Sequence, residues 1–342
     1  MTRSLVSLLL ALSLLTGCVT ETVKSTSVPV LDAPETPVPD AELLDVGVVI
    51  LDPGISSVED EEQVYPEVRR AEATFMATEL ADVLTEQGGW GAVRVVPDER
   101  QFSDLLVRGT ILQSDGEALE LKIRVSDARG TVGLDKRYTG ITSRYAYEQG
   151  TRTKQDPFLS VYRMIANDML AAFQRLPADE RTTIRSVAEM RFARDFASGA
   201  FADYLNEDPS GQVTLRRLPS EEDPMLARVR GLRQRHYVFV DTLQGHYTGF
   251  SDDMYTPYQE WRKASYEETV ALRELESEAK RNDRRRRRDT RGHRGTKLWQ
   301  QHDTQRWRDR CGRWRCIAQA RTRKARRVEH PLLSIRGTRP VP

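Results

Sequence analysis

The chain of 342 residues carries 52 Lys and Arg against 51 Asp and Glu, and the formal net charge of +1 hides two opposed parts. Residues 280–342 hold 22 of the basic residues and five of the acidic ones, a balance of +17, which leaves −16 for residues 1–279. Only three cysteines occur and none lies between residues 19 and 280, which excludes a disulfide framework or a thiol nucleophile from that span.

The N-terminus reads MTRSLVSLLLALSLLTGCVTE. One basic residue, Arg3, precedes an apolar run from Leu5 to Leu15. At about 1.5 Å per residue this run is too short to cross a bilayer as a helix, but it suits a secretory signal over residues 1–17. No second apolar run of spanning length follows. The run ends in Leu15-Thr16-Gly17-Cys18, a string that resembles the lipobox of bacterial lipoproteins. That resemblance implies Leu15, Thr16 and Gly17 as the signal-peptidase motif, cleavage before Cys18, and a diacylglycerol carried by the Cys18 thiol. Small residues let the peptide lie extended in a narrow cleft, and the thiol is the nucleophile that attacks the lipid donor. Val19 stands where lipoproteins retained in the inner membrane carry Asp, which implies the outer membrane, with the protein facing the periplasm. Acylation of this kind anchors a protein without a transmembrane helix.

Residues 18–42 contain four prolines among Thr, Ser and acidic residues. Such a stretch buries too little apolar surface to order itself, and it reads as a tether reaching roughly 70 Å when extended. The folded part begins with the apolar run LLDVGVVILDPG (43–54), a buried strand. Pro66 opens a helix whose apolar positions Val68, Ala71, Phe75, Met76, Leu80 and Leu84 recur at three and four, and Gly88-Gly89 ends it. AVRVV (92–96) reads as a strand. DLLVRGTIL and ALELKIRVSDA are two more, joined across Asp115-Gly116, the second alternating Leu119, Leu121, Ile123 and Val125 with polar residues. A further strand spans Leu134 to Tyr138. The order β-α-β-β-β-β predicts an α+β fold, a small mixed or antiparallel sheet with helices on one face.

Asp156-Pro157 starts another helix, completing an α+β domain over 43–176. Residues 177–280 read as a helical region: one stretch over about 179–205, and a long helix opened by Asp223-Pro224 and kinked at Pro257. Its apolar residues include Met225, Leu226, Val229, Leu232, Phe239, Val240, Leu243, Tyr247 and Phe250. Such a helix serves as a spacer, a partner groove or a surface for homo-oligomerisation.

The element order, with VGVVILD, LTEQGGWGAVRVVPD and DLLVRGTILQSDG, resembles the periplasmic α+β domains of the curli-secretion lipoprotein and of the lipoprotein activator of penicillin-binding proteins. The resemblance covers residues 43–176 and implies a non-catalytic domain that docks on another envelope protein. The chain lacks the long amphipathic insert that a pore former needs.

No phosphate loop, Gly-x-Ser-x-Gly or Gly-x-Gly-x-x-Gly occurs. His236 and His246, ten apart on a helix, do not meet the i, i+3 or i+4 spacing of a zinc pair, and read as packed core histidines. Glu59, Asp60, Glu61 and Glu62 lack the spacing of a calcium loop. Tyr247, Tyr255, Tyr258, Trp261 and Tyr266 suit either helix packing or an interface. No catalytic residue, metal ligand or cofactor is assigned.

The tail, residues 281–342, contains RNDRRRRRDTRGHRG. It holds three of the five Trp, three of the five His, and Cys311 and Cys316, whose spacing is not that of a structural zinc site. In a GC-rich gene, a one-base shift turns arginine codons into alanine and glycine codons. The tail therefore reads as a disordered extension, as out-of-frame translation beyond about Asn282, or as a polybasic binder of anionic surfaces. The overall expectation is an outer-membrane lipoprotein acting as a non-catalytic binding or assembly factor. Its partners are outer-membrane lipid through Cys18 and an unidentified envelope protein, with no nucleic acid; an envelope enzyme with an unmotifed site is the rival reading.

Overall fold

Strand β2 (Val46–Val49) is the centre from which the fold is built, with Val46 and Val48 fully buried. The computed structural model describes residues 20–24, 28–55, 65–98, 103–147 and 155–292, with only the backbone described for 20–24 and 283–292. β1 (Thr20–Lys24), β2, β3 (Val93–Val96), β4 (Leu105–Ser114), β5 (Ala118–Asp127) and β6 (Val132–Ile141) make one sheet in the order β1-β6-β5-β4-β2-β3. β4, β5 and β6 form an antiparallel meander, while β2 runs parallel to both β3 and β4. The fold is the α+β class expected from the element order. Leu119, Leu121, Ile123 and Val125 all face the core at 1% exposure or less, because a strand's period of two puts every second residue on one face.

Helix α1 (Pro66–Gln87) connects β2 to β3, and α2 (Leu159–Phe173) lies on β6 and against α1, so both cover one face of the sheet. Helix α3 (Ala178–Phe196) is followed by the single turn α4 (Ser198–Phe201) and by a hairpin of β7 (Leu205–Glu207) and β8 (Val213–Leu215). That hairpin was not expected; three-residue strands are too short to set up a visible alternation. Helix α5 (Pro224–Gly292) starts where Asp223-Pro224 predicts, with Asp223 Oδ1 accepting the Met225 N–H at 2.7 Å. It continues through Pro257, and its backbone carries on through Arg284–Arg288. The Arg-rich segment from 281 thus begins as helix.

Three sequence expectations need correction. Residues 18–42 are not a free tether where described. β1 adds to the sheet parallel to β6, pairing Thr20 with Arg137 and Lys24 with Ile141. Beyond it, Asn167 receives the Asp32 N–H at 3.0 Å and donates to the Val30 carbonyl at 2.9 Å, while Arg185 donates to the Asp40 and Ala41 carbonyls. Prolines favour an extended backbone with little entropy left to lose, so side-chain donors on α2 and α3 suffice to lay the segment along the body.

Residue 177 is also no boundary in packing. Ile184, Val187 and Phe192 of α3, and Leu226, Val229 and Tyr258 of α5, share one buried core with the sheet. The described residues up to Glu274 form one compact unit, and the described residues of α5 from Leu275 onward fall outside it. Finally, α5 does not bury all its apolar residues: Phe239 is 61% exposed, Phe250 39% and Met225 40%, and His246 is exposed as well.

The tip of the β4–β5 hairpin meets α5 backbone to backbone. Gly116 has φ +80°, and a Cβ there would lie 2.2 Å from the Arg262 carbonyl oxygen. Gly116→Ala is expected to lower unfolding stability by roughly 2–4 kcal/mol, from the left-handed backbone and the overlap together. Urea denaturation measures this, and a cost below about 0.5 kcal/mol would show that the tip need not touch the helix.

Candidate functional site

The chemistry-bearing groups gather in two clusters, each holding α5 against the sheet. The first joins α1, the start of α2 and α5. Arg262 is fully buried and its Nη1 lies 2.6 Å from Asp156 Oδ2, in a pair 0% and 2% exposed. Asp156 also accepts the Phe158 N–H at 2.8 Å and the Gln259 side chain at 3.2 Å. Helix α2 begins at Leu159 rather than at Pro157, and Asp156 closes the turn before it. The Arg262 guanidinium lies 4.0 Å from the Tyr258 ring centre, 5.0 Å from Phe158 and 5.7 Å from Phe75. Its Nε and Nη2 have no hydrogen-bond partner among the described residues, and ring faces provide their electrostatic complement.

One turn of α5 earlier, the Tyr258 hydroxyl donates to Glu72 Oε1 at 2.8 Å, and Ser114 Oγ donates to the same oxygen at 2.9 Å. Arg69 Nε stands 3.5 Å from the other oxygen. Burial raises the Glu72 carboxyl above its ordinary value, against the lowering effect of Arg69. Nearby, Glu79 is pushed up to about 7, first by burial and then by Asp156 and Asp82. A hydroxyl pair on a carboxylate has the ingredients of acid–base chemistry, but a catalytic group must come within about 3 Å of its substrate. Here Glu72 is 0% exposed, and among the described residues its oxygens face Tyr258, Ser114 and Arg69. The arrangement is a clamp.

The second cluster lies at the other end of the contact. Arg94 Nε donates to Asp241 Oδ1 at 2.6 Å, and the Arg94 and Arg233 guanidinia stand 4.7 and 5.2 Å from the Tyr237 ring. Asp104 Oδ2 accepts the Asp45 N–H at 2.9 Å, and burial, with the adjacent Asp45, pushes Asp104 up to about 6. Gln244 accepts the Val95 N–H at 2.8 Å and donates to the Val95 carbonyl at 3.0 Å. It thereby gives edge strand β3 the pairing that a neighbouring strand would supply. No periodicity marks Gln244 for this role.

His236 packs against Phe192 with ring centres 5.9 Å apart, and burial together with Arg233 and Arg94 lowers its proton affinity. His246 is exposed, and ten residues of helix keep the two about 15 Å apart. Of Tyr247, Tyr255, Tyr258, Trp261 and Tyr266 on α5, Tyr258 is buried and stacks on Trp261, Tyr247 and Tyr255 pack on the core, and Tyr266 meets Tyr147 at 5.5 Å. Packing therefore accounts for them. An open concavity of about 430 Å³ lies beside Tyr147 and Tyr266, lined also by Arg144, Lys263 and Glu267.

Leu15, Thr16, Gly17 and Cys18, the acidic run Glu59–Glu62, and Cys311 and Cys316 lie outside the described residues. Among the described residues no group of three or more His, Cys, Asp or Glu is placed to hold a metal ion, and no helix is long and apolar enough to cross a membrane. No protein-family model matches the chain, and comparison with curated proteins and with solved structures finds no match either.

Proposed function

We propose that this chain is a lipoprotein anchored to the outer membrane through Cys18, facing the periplasm and acting as a binding or assembly factor rather than as a catalyst. The observation that carries the reading is Leu15-Thr16-Gly17-Cys18 behind an apolar run of signal length. The start of β1 at Thr20 supports a particular form of it. Two peptide units span at most about 7 Å, so a lipid on Cys18 would hold the edge of the sheet at the leaflet surface instead of 70 Å away. The burial of Glu72, Arg262 and Asp156 in packing contacts fits a body whose polar groups serve rigidity.

Cys18→Ser is expected to abolish incorporation of radioactive palmitate and to move the chain from the membrane fraction to the soluble fraction. Continued labelling of the serine variant, or a parent chain that takes up no label, would overturn the reading.

A further inference from the structure

Helix α5 has a second face that the body does not use. Val240, Gln244, Ser251, Tyr258 and Arg262 point inward. Half a turn away, at 100° per residue, Arg235, Thr242, His246, Gly249 and Asp253 make a stripe along the helix, with Phe239 and Phe250 along one flank and Val238 and Gly245 along the other. Val238 and Phe239 are 63% and 61% exposed and Phe250 39%. A Cβ at Gly245 or Gly249 would meet nothing within 4 Å. The single chain thus has no packing reason for glycine there, although glycine is the poorest helix former after proline.

We infer that this stripe is the contact between two copies of the chain, which pair through α5 in antiparallel fashion about a two-fold axis at residue 244. The argument is self-complementarity. In that register Arg235 of one copy faces Asp253 of the other, Thr242 meets His246, Phe239 stands level with Gly249, and Gly245 comes beside Gly245 of the second copy. Phe239 is level with the gap that Gly249 leaves, and Gly245 and Gly249 allow the close backbone approach that such a crossing needs. Neither Arg235 nor Asp253 has an ion-pair partner among the described residues. The next charges outward on the stripe, Arg228 and Glu260, repeat the match. A parallel pairing would set Arg235 on Arg235 and Asp253 on Asp253, and like charges at close range select against it. A two-fold interface requires one surface to complement itself, and this helix does so in charge and in its glycine gaps. The inference does not depend on lipidation at Cys18.

The test uses the full chain. A thiol at Gly245→Cys sits one residue from the axis, and mild oxidation is expected to link most chains into a dimer that reductant releases. Thr248→Cys, exposed on the same helix but off the stripe, and the parent with its own three cysteines are expected to give at least tenfold less. Arg235→Asp and Asp253→Arg, each introduced into the Gly245→Cys chain, are expected to cut the linked fraction about tenfold, and the two together to restore it. All these positions are exposed, and an unchanged circular dichroism melting midpoint verifies the fold. Linking at Gly245→Cys no greater than at Thr248→Cys, or a double charge swap that fails to restore it, would overturn the pairing.

Discussion

Arg262→Ala is expected to lower the free energy of unfolding by about 3–5 kcal/mol, the range for breaking one side of a buried ion pair. Asp156 would keep the Phe158 N–H and Gln259 but lose the Arg262 guanidinium while remaining 2% exposed. The three rings around the guanidinium would also face a cavity. Removing both charges at once, as Arg262→Met with Asp156→Asn, is expected to cost clearly less than Arg262→Ala alone, because no uncompensated charge stays inside. Urea denaturation at pH 7 gives both numbers. Hydrogen exchange should locate the damage in α5 around residues 255–270 and in the turn before α2. A cost under 1 kcal/mol for Arg262→Ala would mean that the pair does not hold α5 down.

Glu79→Gln is expected to stabilise the chain, and to do so only at higher pH. The Glu79 carboxyl sits at about 7 in the folded state against an ordinary 4.5, with burial as the first cause and the neighbouring Asp156 and Asp82 adding to it. Between those two values the folded chain holds a proton that the unfolded chain has released. Folding is therefore favoured at the acidic end, and stability falls as pH rises toward 7. Glutamine has no charge to desolvate and can still accept the Ser251 hydroxyl, which lies 3.4 Å from Glu79 Oε1. The variant should match the parent at pH 4.5 and exceed it by about 1–3 kcal/mol at pH 8, one pKa unit being about 1.4 kcal/mol. Glu72 and Asp104 are raised in the same direction and remain in both chains, so the measured quantity is the difference between parent and variant at each pH. An equal gain at pH 4.5 and pH 8 would show that Glu79 is not the titrating group.

Local patterns were readable where the cause is local. The alternation in Leu119–Val125 records which side of β5 faces the core, and Asp223-Pro224 carries both the cap and the fixed φ that start α5. Gly88 at φ +71° ends α1 where glycine is cheapest. The apolar residues of α5 were less readable because they fall on two sides of one helix. Val229, Val240 and Tyr258 pack inward, whereas Val238, Phe239 and Phe250 do not, and composition alone merges the two sets into one face. The same merging made His246 look like a core residue.

The charged cluster was not readable at all. Arg262 stands in a polar stretch, EWRKASY, where an arginine ordinarily faces water, and its partner Asp156 is 106 residues away. Gln244 bonds to Val95 across 149 residues. The placement of residues 20–42 was hidden for a related reason: their prolines and polar groups carry no core signal, and what secures them are donors on α2 and α3 and the free edge of β6.

By itself the sequence determined the α+β class, the helix starts, the inward face of the meander and the lipobox-like string ending at Cys18, each a matter of residues a few positions apart. Only the tertiary structure decided that the proline-rich segment lies on the body, that Arg262 is a buried clamp, and that one face of α5 is left open. Those facts depend on which distant surfaces meet, and neither hydrophobic period nor composition encodes that meeting.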